Sequence, residues 1–255
     1  MIILAVMQAR CGSTRFPLKV LKEISNRTLL EIEARRILKS KYLTDFVIAT
    51  TTNPNDDLIE NLSAELSLKC FRGDENDLLD RHYQVAKLMH ADAVIKIPSD
   101  CPLIDPEIID KVVGFYMNNH PNYDYVSNLH PPTHPDGNDV EIMSFQALER
   151  MWIEAKSPHQ REHTTPYILE NSNIFRIANI EWENGLDYSK EIRLTVDYPE
   201  DFDFIKAIYE ELSIQNEYFN LNDILELLNR KPELKEFNKI HNGKFWYNSI
   251  YSQTK

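Results

Sequence analysis

The chain has 255 residues, of which 42% are hydrophobic and 27% are charged, a balance typical of a globular protein. Its formal net charge of −12 argues against broad nucleic-acid binding, which needs a basic surface. No apolar run approaches the roughly 18 residues of a membrane span, the opening apolar run is too short for a signal peptide, and the three cysteines lack metal-site spacing, so we expect a cytoplasmic protein.

The first predicted element is a buried strand over Met1–Val6, followed by a polar loop within Met7–Leu21. This loop combines three cations with small or hydroxyl residues: Arg10, Arg15, Lys19, Gly12, Ser13 and Thr14. Backbone N–H groups in such a turn can bind an anion, and Arg and Lys suit a polyphosphate. By residue type alone, the stretch fits a phosphate-binding loop or an ordinary strand-to-helix loop equally well. Cys11 is expected to be a small filler residue rather than a reactive thiol.

The next elements alternate between helix and strand. The spacing of apolar residues predicts a helix over Thr28–Leu38, a buried strand over Phe46–Thr50 and a second helix over Asp57–Leu68. This order predicts a parallel sheet with right-handed crossovers, in which ligands bind beyond the carboxyl ends of the strands. Thr50 and Thr51 would lie at that edge, where hydroxyls could contact a base or ribose, although threonines at strand ends commonly serve turns or caps.

A glycine turn and a helix start follow within Phe71–Arg81 (F-R-G-D-E-N-D-L-L-D-R). Asn76 or Asp77 is placed to cap a helix over Leu78–Met89. On residue type alone, this segment predicts a capped helix with a solvated acidic turn.

Two segments each place an aspartate after an apolar run. A predicted strand over Ala93–Ile97 leads into P-S-D-C-P-L-I-D, with Asp100 near its tip, and a predicted short strand over Arg193–Val196 is followed by Asp197. Mg²⁺ prefers one or two carboxylates together with substrate phosphates, so two such strand tips could hold one ion. Asp105, before Pro106, is expected to cap a helix through Val113.

The composition then changes over Asn118–Asn138, which is rich in Asn, Pro and His. This composition favours a substrate-facing loop rather than a zinc site. Asp139 and Glu141 would share one face of an extended segment that precedes a helix over Phe145–Ala155. Ser157–Ile168 contains Arg161, Glu162 and His163. These could hold a sugar carboxylate or provide a general base, or could simply begin a polar helix. Helices are also expected from Phe202 to Leu212 and over Leu221–Leu228, and the tail is assigned no function.

Six of these motifs resemble those of the cytidylyltransferases that make CMP-sialic acid and CMP-Kdo, especially their spore-coat polysaccharide branch. The first, close to Q-A-R-x-G-S-T-R-x-P-x-K-x-L, matches at Gln8, Ala9, Arg10, Gly12, Ser13, Thr14, Arg15, Pro17, Lys19 and Leu21. The others are similar to R-G-x-x-x-D-V-L-x-R, to G-D-x-P-L-I-D with Ser99 in place of the usual Gly, to P-x-G-x-D-x-E-x-F/M-S, which includes Asp139 and Glu141, to R-E-H-V-T-P-Y-I and to V-D-T/Y-P-E-D. The resemblance covers about residues 1–205.

The resemblance implies one α/β nucleotidyltransferase domain over 1–255, with a Rossmann-like, mostly parallel sheet of the GT-A-like type. An inserted arm near 122–185 would serve the substrate and a homodimer, and a helical tail would span about 206–255. CTP and a sugar acid would give a CMP-sugar and pyrophosphate with Mg²⁺, in the synthesis of a surface polysaccharide. The alternatives are a nucleotide-sugar-dependent glycosyltransferase of similar fold and a non-catalytic nucleotide-binding module.

The resemblance also implies roles for individual residues. Arg10, Lys19 and Asp100 would be catalytic, and Asp100 and Asp197 would hold the metal. The rest of the nucleotide site would comprise Gln8, Ala9, Gly12, Ser13, Thr14, Arg15, Thr50, Thr51, Arg72, Asp77, Arg81 and Ser99. The second substrate would contact Asp139, Glu141, Arg161, Glu162 and His163.

Overall fold

The computed structural model describes residues 1–244, apart from the side chain of Asn184, and its main feature is a seven-stranded sheet with helices on both faces. The strands, in chain order, are β1 (Ile3–Gln8), β2 (Glu23–Ile24), β3 (Arg27–Thr28), β4 (Asp45–Thr51), β5 (Lys69–Gly73), β6 (Ala93–Pro98), β7 (Tyr125–Ser127), β8 (Glu141–Ser144) and β9 (Ile177–Asn179). The helices are α1 (Leu29–Ile37), α2 (Asp57–Glu65), α3 (Leu78–Leu88), α4 (Pro106–Asn118), α5 (Phe145–Glu154), α6 (Pro158–His163), α7 (Pro166–Glu170), α8 (Pro199–Leu212) and α9 (Leu221–Arg230).

Strand β1 lies near the centre of the sheet because it is apolar on both faces. Ile3, Ala5 and Met7 pack against α1, α2, α4, α8 and α9, whereas Leu4 and Val6 pack on the opposite side against α3, α5 and α7. This is the two-residue alternation of a strand buried on both faces. The chain therefore has one apolar layer on each side of its sheet.

The strand order is β5-β4-β1-β6-β8-β7-β9, and β2 pairs with β3 in a separate hairpin. The first four strands are parallel, and β8 runs antiparallel to both β6 and β7. Gln8 is in register with Ala49 and Pro98, so the carboxyl ends of β1, β4 and β6 meet at one edge. The predicted mostly parallel α/β fold is confirmed, and its ligand-binding edge brings the loop after β1 beside Asp100.

The structure also corrects the element predictions. The predicted strand over Arg193–Val196 is wrong, because this segment is extended but joins no sheet; it makes a single bridge between Arg193 and Asp136. Strand β5 and the three-residue strands β7 and β9 were not predicted, since they are short and lie in polar or turn-rich sequence. The last two, with β8, fall within 122–185, so this segment extends the main sheet.

Capping residues determine where α3 and α4 begin. Asp105 accepts a hydrogen bond from the N–H of Glu107 at 2.9 Å, which confirms its predicted capping role, and Asp77 rather than Asn76 caps α3. None of the helices within 1–244 is both long enough and apolar enough to cross a membrane. The last eleven residues of the predicted helical tail, 245–255, lie outside the described part of the chain.

Candidate active site

The loop between β1 and α1 forms one wall of a cavity at the carboxyl edge of the sheet. Arg10, Gly12, Ser13, Thr14, Arg15 and Lys19 all line this cavity, which we call the loop cavity. Asp56 holds the loop in place, because the N–H of Cys11 donates to its carboxylate at 2.7 Å. The hydroxyl of Thr51 donates to the same carboxylate. Burial and the charge of Asp56 raise the pKa of the Cys11 thiol to about 12. The thiol is therefore protonated at neutral pH, as expected for a filler residue.

Lys19 brings the two predicted metal ligands together. Its Nζ donates to Asp100 Oδ2 at 2.9 Å, to Asp197 Oδ1 at 3.1 Å and to the carbonyl of Val196 at 2.7 Å. Two carboxylates from segments almost a hundred residues apart therefore converge on one point. Burial alone would lower the pKa of Lys19, but the charges of Asp100 and Asp197 raise it above its ordinary value.

Asp197 reaches this point through backbone pairing between loops rather than through a strand. Its preceding residues are held on both sides: the N–H of Val196 donates to the carbonyl of Asp100 at 2.8 Å, and that of Leu194 donates to the carbonyl of Asp136 at 2.6 Å. Gly137 allows this approach, since a Cβ at that position would lie 2.5 Å from the backbone of Leu194. The expected convergence of Asp100 and Asp197 thus has a different structural origin from the one predicted.

Arg193 is a buried hub beneath Asp197. Its guanidinium is 2% exposed and donates to Asp136 at 2.8 Å, to Asp197 at 2.8 Å and to Asp201 at 3.1 Å. Burial acts to lower the pKa of Arg193, but these three carboxylates raise it. Burial likewise acts to raise the pKa of Asp197, yet Lys19, Arg15 and Arg193 lower it below the ordinary value. Asp197 is consequently ionised and fixed in orientation.

A second cavity adjoins these carboxylates and is lined by residues of β6 and of the loop over 128–139. Its lining includes Asp136, Asn138, Asp139, His134 and Lys244, and we call it the inner cavity. Asp100 and Asp197 line both cavities, together with Gln8, Arg15 and His163. The two carboxylates therefore stand on the boundary between two adjoining sites.

The inner cavity has unusual electrostatics. Burial and the nearby charge of Asp100 raise the pKa of Asp139 to about 7, and burial lowers the pKa of His134 to about 4. The His134 ring is therefore neutral near pH 7, and neither of its buried nitrogens has a hydrogen-bond partner among the described residues. A neutral imidazole offers one donor and one acceptor, which suits a hydroxyl group.

Arg81 enters the loop cavity from α3. It is 4% exposed, and its Nε and Nη1 have no hydrogen-bond partner within residues 1–244. Burial lowers its pKa to about 10, so it remains charged at neutral pH. Gly73 makes room for it, because a Cβ there would lie 2.7 Å from Arg81 Cγ. A buried cation that lines a cavity and has unpartnered donors favours a ligand that carries acceptor atoms.

The structure brings most of the predicted site residues to these cavities. In addition to the loop residues, Gln8, Ala9, Arg81, Ser99, Glu162 and His163 line the loop cavity, and Asp139 lines the inner one. Six predicted residues line neither: Thr50, Thr51, Arg72, Asp77, Glu141 and Arg161.

These six residues have other partners in the fold or are buried away from the cavities. Arg72 pairs with Asp57 and Glu60, while Thr51 supports Asp56. Arg161 donates to Asp77 at 2.5 Å and to the carbonyl of Trp152 at 2.7 Å. Glu141 pairs with Lys96 at 3.0 Å, and Thr50 is completely buried.

Several cavity residues were not predicted, notably Arg193, Asp136, Lys96, His134 and Lys244. A charged residue inside an apolar run is a signal of a buried, paired charge, and both Lys96 and Arg193 have that context in the sequence. Nothing comparable marks Lys244, which lies in the tail.

The donor set at the boundary fits a hard divalent cation. Asp100 and Asp197 offer two carboxylates at one point, and within residues 1–244 no cluster of three or more His, Cys, Asp or Glu side chains forms a metal site. Mg²⁺ is commonly held by one or two carboxylates while substrate phosphates and waters complete its shell. The two aspartates would thus hold a metal only together with such a ligand.

Known proteins resemble this chain along most of its length. A family model described as "Cytidylyltransferase" matches residues 4–226. The spore coat polysaccharide biosynthesis protein SpsF of Bacillus subtilis is 30% identical over 236 residues, which cover 91% of this chain and 95% of that protein.

Two solved structures have a similar fold. A cytidylyltransferase from Leptospira borgpetersenii is 30% identical, with a TM-score of 0.87 over 97% of this chain and 99% of that one. The CMP:2-keto-3-deoxy-manno-octonic acid synthetase complexed with CTP is 17% identical, with a TM-score of 0.62 over 83% of this chain and 99% of that one.

Proposed function

This chain belongs to the cytidylyltransferase family, and from that premise we propose that it transfers CMP from CTP to a sugar acid, releasing pyrophosphate, for the synthesis of a surface polysaccharide. The observation that carries the proposal is the position of Asp100 and Asp197 on the boundary between two adjoining cavities. A transfer between two substrates needs the nucleotide on one side of such a point and the acceptor on the other.

We assign CTP to the loop cavity. The backbone N–H groups of Arg10, Gly12 and Thr14 and the cations Arg10, Arg15 and Lys19 suit its triphosphate, and the unpartnered donors of Arg81 suit the carbonyl oxygen of its base. CTP is the nucleotide named for the 2-keto-3-deoxy-manno-octonic acid synthetase of similar fold.

The acceptor is assigned to the inner cavity. The neutral, buried His134 suits a sugar hydroxyl, and the sugar acid named for the synthetase of similar fold supports an acidic sugar. The Bacillus subtilis relative is a spore coat polysaccharide biosynthesis protein, which supports a role in the synthesis of a surface polysaccharide.

The proposed reaction is an in-line displacement at the α-phosphorus of CTP. The anomeric hydroxyl of the acceptor gives its proton to solvent and forms the new O–P bond from the inner-cavity side, and the bond to pyrophosphate breaks, with pyrophosphate leaving with the bonding electron pair. Lys19 and Arg15 neutralise the charge of the triphosphate and of the departing pyrophosphate. We propose that Asp100 and Asp197 hold Mg²⁺, which when bound polarises the α-phosphate. No protein nucleophile is required.

Nucleotide preference tests this function directly. With Mg²⁺ present, CTP should raise the melting temperature more than ATP, GTP or UTP, since a ligand that binds only the folded state stabilises it. Equal shifts for all four would refute the proposal, and a preference for UTP would favour a nucleotide-sugar-dependent glycosyltransferase.

The transfer itself is tested by pyrophosphate release from CTP in the presence of 3-deoxy-manno-octulosonate or N-acetylneuraminate, with neutral mannose as the comparison. Asp100→Asn should abolish release. The exposed Asp203→Asn on α8, which lines neither cavity, is the matched control and should leave release unchanged.

A further inference from the structure

The C-terminal segment 238–244 returns to the active site although it lies beyond the part of the chain matched by the family model, which ends at residue 226. Asn238 is 2% exposed, and its amide donates to the carbonyl of Arg193 and to Asp201, each at 2.9 Å. In return, Arg193 donates to the carbonyl of Lys244 at 3.1 Å. The segment is thus anchored at both ends to the hub that orients Asp197.

His241 fixes the direction of the segment between these anchors. Its ring stacks on Tyr198 with 3.9 Å between centroids and an angle of 5° between planes. Lys244 Nζ lies 3.2 Å from His241 Nδ1 and 5.6 Å from the centre of the Tyr198 ring. The Lys244 ammonium is therefore held near the mouth of the inner cavity by a ring nitrogen and an aromatic face.

The charges around the inner cavity single out Lys244. Arg15 pairs with Asp197, Lys96 with Glu141, and Arg193 with three aspartates. Among residues 1–244, Lys244 is the Lys or Arg of the inner cavity that forms no direct ion pair; the carboxylate of Glu200 feels its charge, but the His241 ring stands between them. An ammonium at a cavity mouth without a directly bound carboxylate is suited to an anionic ligand.

Arg161, whose residue type suits a sugar carboxylate, has other partners in the structure. Its guanidinium is bound by Asp77 and by the carbonyl of Trp152, and it lines neither cavity. A carboxylate on the acceptor therefore needs a different partner.

We propose that Lys244 binds the carboxylate of the sugar acid, so that the C-terminal segment 238–244 makes the enzyme selective for acidic acceptors. This inference rests on the proposed function. It assigns a substrate-binding role to a segment outside the matched family region, and it makes Asn238 and His241 positioning residues for Lys244.

The test is steady-state kinetics with CTP, Mg²⁺ and either 3-deoxy-manno-octulosonate or N-acetylneuraminate as the acceptor. Lys244→Met should raise KM for the acid by about 10- to 100-fold, the range for losing one hydrogen bond to a charged group, whereas KM for CTP should not change. Lys244→Arg should restore most of the affinity for the acid. Lys239→Met removes an exposed lysine of the same tail, paired with Glu236, and should change neither constant.

A second measurement reports the contact without turnover. Acylation of Lys244 by an N-hydroxysuccinimide ester, quantified by peptide mass spectrometry, should slow when the acid is added with CTP, while acylation of Lys239 should not change. Asn238→Ala should weaken this protection and raise KM for the acid.

The outcomes separate the inference from the proposed function. If the enzyme turns over a sugar acid but Lys244→Met leaves KM for that acid unchanged, the inference is overturned and the function stands. The same holds if adding the acid with CTP does not slow acylation of Lys244. Release of pyrophosphate with mannose alone overturns both the acidic acceptor and the inference. No binding of CTP, or no release with any of the three acceptors, overturns the proposed function and the inference with it.

Discussion

Replacing Arg193 with methionine should strongly destabilise the protein, because it removes one cation from three carboxylates. The guanidinium is 2% exposed, Asp201 is fully buried, and Asp136 and Asp197 are 10% and 15% exposed. Breaking a buried ion pair by deleting one partner costs about 3–5 kcal/mol, since the remaining charge is left without compensation. For a chain of this length, such a loss lowers Tm by roughly 6–20 °C.

The loss of folding stability in Arg193→Met should also depend on pH. Burial and the charge of Asp139 raise the pKa of Asp136 well above its usual value, while Arg193 opposes that rise. Without Arg193 the pKa of Asp136 rises further, so the folded variant binds more protons than the unfolded chain, and its stability falls as the pH increases. The difference in stability between wild type and Arg193→Met should thus be larger at pH 8 than at pH 5.5.

The assay is thermal and urea unfolding of the nucleotide-free protein at both pH values. Arg35→Met is the matched control, because Arg35 is 44% exposed and, within residues 1–244, its one ion pair is with Glu31, a pair of the class worth about 0.5 kcal/mol. The account of Arg193 as a charge-compensating hub would be refuted if Arg193→Met were as stable as Arg35→Met. It would also be refuted if the stability difference between wild type and Arg193→Met grew as the pH fell.

Three further results are expected at the same site. Asp100→Asn and Asp197→Asn should each cut turnover by orders of magnitude, and the double variant should be scarcely worse than either, because groups that act as a unit are not additive; fully additive losses would contradict a shared metal. Lys19→Met should weaken CTP binding, measured by calorimetry, by about 1.5–3 kcal/mol, and Cys11→Ala should leave it nearly unchanged; the reverse order would exclude the loop assignment. Because the pKa of Asp139 is raised from 3.8 to about 7 in the folded state, the metal-free protein should lose stability as the pH rises through that window, and Asp139→Asn should flatten the loss in urea unfolding; parallel pH profiles would argue against a buried, protonated Asp139.

The local sequence was sufficient to predict the elements whose pattern is complete within a short stretch of the chain. The apolar run of β1 is buried on both faces, the spacing of α1 and α3 gives each helix an apolar side, and Asp105 caps α4 through a contact two residues away. The loop after β1 was also recognisable, because its cations, hydroxyls and glycine are consecutive in the chain. The patterns that predict these features lie in consecutive or closely spaced residues, although the burial that they predict involves distant parts of the chain.

Which polar residues face the site was decided by the tertiary structure. Arg72 and Arg81 stand in one short motif, yet Arg72 pairs with α2 carboxylates, and Arg81 keeps free donors in the loop cavity. Sequence cannot distinguish them, since the outcome depends on the pleat of β5 and on which carboxylates α2 places nearby.

The same holds for Asp197 and Lys244. Asp197 meets Asp100 because loops at residues 136 and 100 pair with the extended segment before it, and Lys244 reaches the inner cavity because Asn238 and Arg193 hold the tail there. These contacts join segments that are about fifty or more residues apart. No local propensity encodes them, because they join four segments that lie together only in the folded structure.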